Sequence, residues 1–137
     1  MRVCIDTNVV LQLSAHSPTG RRLVLALLAG KVEWAVSNKI LLEYEEVLVR
    51  QSRPRRFAEF DRFVDRLFLL NANVLFIQPQ FRFHVVGTDP DDNKFVDCAI
   101  AAQADYIITE DEHFNALTRS GYRPKPIKPA EFIRRFC

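Results

Sequence analysis

The chain has 137 residues, 48% of them hydrophobic and 26% charged, with 19 basic against 17 acidic side chains and a formal net charge of +2. That length suits one domain with its own core over residues 1–137, and so small a charge excludes attraction of nucleic acid by bulk charge alone. Cys4, Cys98 and Cys137 are far apart and odd in number, which excludes a disulfide framework or a CxxC metal knuckle.

In chain order, "RVCID" (2–6) reads as a buried strand that ends on a carboxylate. "SPTGRRLVLALLAG" (17–30) reads as a helix closed by Gly30. "VEWAVS" (32–37) is a second strand, and "NKILLEYEEVLVR" (38–50) a helix with the apolar stripe Ile40, Leu41, Tyr44, Val47 and Leu48. "RRFAEFDRFVDRLFLL" (55–70) is a strongly amphipathic helix, and "NVLFIQP" (73–79) a short strand stopped by Pro79. "DPDDNKFVDCAIAAQA" (89–104) is a helix with acids at its start, where the helix dipole favours them. "DYIITED" (105–111) is a further strand followed by a short helix. "RPKPIKP" (123–129) holds an edge strand, and "AEFIRRF" (130–136) is a closing helix. This alternation predicts a three-layer α/β/α domain around a mainly parallel sheet. The start carries no secretory signal, and the longest clean apolar run, "LVLALLAG" (23–30), is too short to span a membrane, so a cytoplasmic protein is expected.

Ligand sites of open parallel sheets form beyond the carboxyl ends of strands. Two predicted strands end there in acids: Asp6 after "VCI", and Glu110 and Asp111 after "YIIT". Glu43 lies beside the apolar stripe of helix 38–50, and Asp97 interrupts the otherwise apolar "FVDCAIAA". If Asp6, Glu43, Asp97 and Asp111 converge, their mutual repulsion requires a cation, and Mg²⁺ or Mn²⁺ suits carboxylate oxygens. The matching chemistry is phosphodiester hydrolysis. Each acid has a second reading. Asp6 and Asp111 can cap helices, Glu43 can pair with Lys39 at helical spacing, and Asp97 can pair with Lys94. Asp89, Asp91 and Asp92 suit the start of a helix, with Asp92 within reach of the site.

The order "IDTNVV", "SNKILLEYEEVL", "DPDDNKFVDCAIAAQADYIITEDEHF" resembles the PIN-domain nucleases, and within them the toxins of type II toxin–antitoxin systems. The similarity runs along nearly the whole chain to the closing "KPAEFI", and it is the combination of D-T-N, D-P-D-D-N-K-F and T-x-D that is specific. The resemblance implies a Mg²⁺- or Mn²⁺-dependent endoribonuclease that leaves 5′-phosphate and 3′-hydroxyl ends. It implies metal-binding acids at Asp6, Glu43, Asp97 and Asp111, with Thr7, Asn8 and Thr109 as their hydrogen-bonding supports. It also implies a homodimer and a cognate antitoxin covering the acidic groove. Two departures are Gln103, where related sequences often have Gly, and Glu110, an additional acid beside the last motif.

The run "RQSRPRR", with Arg50, Arg53, Arg55 and Arg56, offers sequence-independent attraction for an RNA backbone, or else a solvated helix junction. Phe57, Phe60 and Phe63 recur at helical spacing and read as packing residues. Of the scattered His16, His84 and His113, only His113, two residues past Asp111, stands near the expected site. A phosphatase of the haloacid dehalogenase type would need an acid at position 8, where Asn8 stands, and a response-regulator receiver would need an acidic pair after the first strand. A non-catalytic module that binds RNA or protein is the remaining alternative.

Overall fold

The computed structural model describes residues 1–14, 17–50, 58–59, 61–62, 65–66, 73–87 and 90–137. Five strands, β1 (Arg2–Ile5), β2 (Glu33–Val36), β3 (Val74–Phe76), β4 (Tyr106–Ile108) and β5 (Lys125–Ile127), form one sheet in the order β3-β2-β1-β4-β5. Every pairing in it is parallel. The helices are α1 (Thr7–Ser14), α2 (Pro18–Leu28), α3 (Asn38–Arg50), α4 (Asn93–Ala101) and α5 (Pro129–Phe136), with 3-10 turns at Pro90–Asp92 and Glu112–Arg119. They flank the sheet to give the expected three-layer α/β/α arrangement.

The central strand explains the apolar start of the chain. β1 is hydrogen-bonded on both edges, to β2 and β4, and Val3, Cys4 and Ile5 are fully buried. A parallel strand covered on both faces reads as a continuous apolar run. Pro126 lies in β5, at the sheet edge, where a residue without an N–H leaves no ladder bond unmade. The core above the sheet is aromatic: Tyr44 of α3 lies 6.0 Å from Trp34 of β2 and 6.2 Å from Phe95 of α4, which meets Phe114 edge-on at 6.3 Å.

Helix α3 spans the residues expected of it, with Ile40, Tyr44 and Leu48 inward. The predicted helix at 55–70 falls mostly outside the described residues; those described between 58 and 66 are helical. The expected helix at 89–104 is split in two. Its acidic start winds as the 3-10 turn, and α4 proper begins at Asn93. Ser17 caps α2 by accepting from the Gly20 N–H at 2.9 Å, and Pro18 occupies the first turn. Gly30, φ +75°, follows its end.

Helices α1 and α2 approach closely at Gly20. A methyl group there would stand 2.7 Å from the Gln12 carbonyl oxygen and 2.9 Å from Leu13 Cα, both backbone atoms. Gly20→Ala is therefore expected to destabilise the fold by about 1–3 kcal/mol in urea unfolding, the usual cost of overpacking. Gly87→Ala, where nothing lies within 4 Å, is expected to leave the midpoint nearly unchanged.

Candidate active site

The strand order reverses between β1 and β4: the chain grows outward from β1 through β2 to β3, then crosses to β4 and β5. The crevice beyond the carboxyl ends of β1 and β4 is the switch point where α/β sheets hold ligands. Asp6 stands there. Its N–H continues the ladder to the Ile108 carbonyl at 3.0 Å, and its carbonyl accepts from Val9 and Val10 at 3.0 and 3.1 Å, opening α1. The backbone of Asp6 thus does the capping, which leaves the carboxylate for other work.

That carboxylate is buried, with the residue 5% exposed. Oδ1 accepts from the Thr7 N–H at 2.7 Å and Oδ2 from the Thr109 hydroxyl at 2.7 Å. Burial pushes its pKa above the ordinary carboxylate value, against the lowering effect of these two donors, and the nearby charges of Asp111 and Glu43 push it further up. Asp6 therefore sits among anions.

Thr109, also buried, carries the constellation onward. Its hydroxyl oxygen accepts from the Asp111 N–H at 2.9 Å, and its own N–H reaches the Ile127 carbonyl of β5 at 3.0 Å. Asp111 caps the following 3-10 turn through the His113 N–H at 2.9 Å. The His113 Nδ1 lies 3.2 Å from Asp111 Oδ1 and 3.6 Å from Asp92 Oδ2. One donor atom from each of Asp92, Asp111 and His113 lies within 4.8 Å of the other two. Glu43 enters from α3. It accepts from the Thr7 hydroxyl, and its other oxygen is 2.7 Å from Lys94 Nζ.

The helix acids divide differently from the sequence reading. Asp97, expected as the third metal ligand, has Oδ1 2.9 Å from the Phe83 N–H, which it accepts. Asp92, held in reserve, is the helix acid brought beside Asp111. The two are five residues apart, about 140° round a helix, so they serve different sides of it. Lys94 pairs with Glu43 rather than with Asp97, and Lys39 is not the partner of Glu43. Thr7 hydrogen-bonds to Glu43 and Thr109 to Asp6, whereas Asn8 and Glu110 are exposed. Arg50 pairs with Glu46 on the surface of α3; Arg53, Arg55, Arg56, Phe57, Phe60, Phe63 and Asp89 lie outside the described residues.

Sequence reasoning offered Lys94 as a partner for Asp97, where the structure pairs it with Glu43, and gave Asp92 and His113 only a minor part. The available signal for His113 was its place two residues beyond Asp111, within a single turn. As a donor set, two carboxylates and an imidazole beside a buried carboxylate suit a divalent cation of the Mg²⁺–Mn²⁺ type, with the imidazole favouring the softer of the two. A cation there would offset both the burial that raises the Asp6 pKa and the smaller repulsion from Asp111 and Glu43. What the arrangement can do is hold hard cations at a sheet edge open to solvent through Asp111 and His113.

No curated protein sequence matches the chain. Among solved structures, it is similar to a chain in the crystal structure of VapBC2 from Rickettsia felis bound to a DNA fragment from their promoter. The TM-score is 0.60 at 18% identity, over 93% of this chain and 100% of that one, a likeness of fold. The sequence profile of the PIN domain matches residues 2–113. With that match spanning most of its length, including the Asp6 and Asp111 motifs, the chain belongs to the PIN-domain family.

Proposed function

We propose that the chain is a metal-dependent endoribonuclease acting as the toxin of a toxin–antitoxin pair, in the cytoplasm and as a homodimer. The observation that carries the catalytic part is the meeting of Asp92, Asp111 and His113 donor atoms at the switch point, next to the buried carboxylate of Asp6. The toxin setting is supported by the motif resemblance and by likeness of fold to the Rickettsia felis VapBC2 chain.

Asp6, Asp92 and Asp111 would hold Mg²⁺ or Mn²⁺, with His113 beside them and Glu43 in support. A bound ion of this kind supplies a polarised phosphoryl oxygen and a more acidic water. The protein's own part is placement. Thr109 and Thr7 fix both oxygens of Asp6, so the carboxylate does not reorganise as substrate arrives. Lys94 offsets the charge of Glu43, which lowers the repulsion that a phosphate meets on that flank. In the hydrolysis, a water oxygen bonds to phosphorus as the bond to the 3′ oxygen breaks. The proton lost from water passes to solvent or to a neighbouring carboxylate, and the 3′ oxygen takes up a proton from solvent and leaves as a hydroxyl.

Labelled single-stranded RNA incubated with the protein is expected to be cut with Mn²⁺ and to remain whole with EDTA. Asp6→Asn, Asp92→Asn and Asp111→Asn should each lower kcat by about 100-fold or more, beyond the 10–100-fold usual for residues that merely orient ligands. Asp97→Asn should keep kcat within about tenfold; the reverse ranking of Asp92 and Asp97 would return Asp97 to the ligand set. RNA bound but never cut, in wild type and Asp6→Asn alike, would favour the non-catalytic module.

A second measurement needs no substrate. Since the folded-state pKa of Asp6 is raised, its contribution to stability is whole below the unfolded carboxylate range and is lost as pH rises through the folded value. At neutral pH without metal, ionised Asp6 costs stability. Asp6→Asn is therefore expected to melt above the wild type in EDTA at neutral pH, and the gap should close on acidification. Mn²⁺ should raise the wild-type Tm with concentration. A lower Tm for Asp6→Asn across the whole pH range would show that ionised Asp6 is not under strain.

A further inference from the structure

The segment Ile77–Val86, which follows β3, has no regular secondary structure, yet it is held at three places. The Ile77 N–H bonds the Val36 carbonyl at 2.8 Å. The Phe83 N–H bonds Asp97 at 2.9 Å. Val86 exchanges two bonds with the Asn93 side chain, its N–H to Oδ1 and its carbonyl from Nδ2, both 2.9 Å. His84, at φ +51°, turns the backbone through the left-handed region between the last two anchors.

On this fixed strap Phe81 is left 73% exposed. Its ring is backed by Phe83 at 6.4 Å, and Phe83 in turn meets the Tyr122 ring edge-on at 5.3 Å. Phe81 lines a cleft of about 630 Å³ together with Lys39, Arg82, His84 and Lys94. Two carboxylates, Asp91 and Asp97, line it as well, and that of Asp97 is committed to the Phe83 amide. Lys94 joins the cleft to the acids, since its Nζ is 2.7 Å from Glu43.

We propose that this cleft is a subsite for an unpaired base of the RNA strand, with Phe81 as the stacking surface and Lys39 and Arg82 on the flanking phosphates. The proposal rests on the endoribonuclease reading and narrows its substrate to single-stranded segments. Every base has a π-face, and a single strand leaves it available, so an exposed ring on a held backbone, in a cleft also lined by cations, suits unstacked nucleotides. A duplex keeps its bases stacked and has none to offer. Asn93 and Asp97 are positioning residues, since they act on RNA only through the strap. On this proposal Asp97 serves substrate placement through its bond to the Phe83 amide.

The test uses a short single-stranded oligoribonucleotide with 2-aminopurine at successive positions, titrated in EDTA against wild type, Phe81→Ala and Phe81→Trp. Wild type is expected to quench one position. Phe81→Ala should weaken binding by about 5- to 100-fold, the range for one base–aromatic stack, and lose that quench, while Phe81→Trp keeps both. Equal affinity of wild type and Phe81→Ala overturns the proposal, as does a loss that Trp does not rescue, equal binding of duplex RNA, or no RNA binding at all. Mn²⁺-dependent cleavage is measured in parallel. Cleavage by a wild type whose binding ignores Phe81 sinks the subsite alone. Phe81-dependent binding without cleavage sinks the nuclease reading and leaves the base platform standing.

Discussion

The site depends on one hydroxyl group. Thr109 Oγ1 donates to the buried carboxylate of Asp6 and accepts from the backbone of Asp111, so a single atom ties the end of β1 to the loop beyond β4. The parallel ladder makes this bridge available, because Ile5 and Ile108 are in register and bring the next residues of both strands to the same edge. Without that donor, the Asp6 carboxylate would keep its burial and its anionic neighbours but lose one of two opposing bonds. An under-satisfied buried anion is costly enough to reorganise a site. The bridge also explains why a threonine, and not an aliphatic β-branched residue of the same shape, ends the strand sequence "YIIT".

The sheet and α3 were legible because their residues obey one rule at a time. "VCI" is buried on both faces and nothing interrupts it, and Ile40, Tyr44 and Leu48 recur at the helical period. The end-of-strand position of Asp6 and Asp111 was legible for the same reason: chain polarity places both at one edge once the strands are parallel. The helix acids were not. Asp92 and Asp97 are both carboxylates close to the same helix start, and only the direction of each side chain separates their surroundings, Asp111 and His113 for one and the Phe83 amide for the other. That direction follows from where the 3-10 turn gives way to α4, at Asn93, a boundary that composition does not mark. The pairing of Lys94 with Glu43 was not legible, because the two are 51 residues apart and no local period connects them.

Seen from its own axis, α4 does three jobs with neighbouring residues. Phe95, Val96, Cys98 and Ala99 face the core. Asp92, at its head, faces the acidic crevice. Asn93, Lys94 and Asp97, at spacings that share a helical side, hold the strap and Glu43. An alternating or strictly amphipathic pattern would have been easier to read, and it would have provided only two of these faces. The interruption of "FVDCAIAA" by an acid is the trace of the third.

An acidic centre that acts on a polyanion has to be approached from a side where the field is not repulsive. The net charge of +2 does not provide that side; the distribution of ion pairs does. Lys94 sits between the acids and the cleft, with its side chain 22% exposed, and its charge is set against Glu43 rather than released to solvent. Lys39 and Arg82 line the cleft beyond it. Moving outward from Asp6, the chain therefore passes from a buried anion, through a compensated pair, to cations at the surface. A phosphate travelling the other way loses repulsion only at the last step, where a divalent ion would replace it with attraction. The order of these three zones follows from the register of β1 and β4 and from the phase of α4.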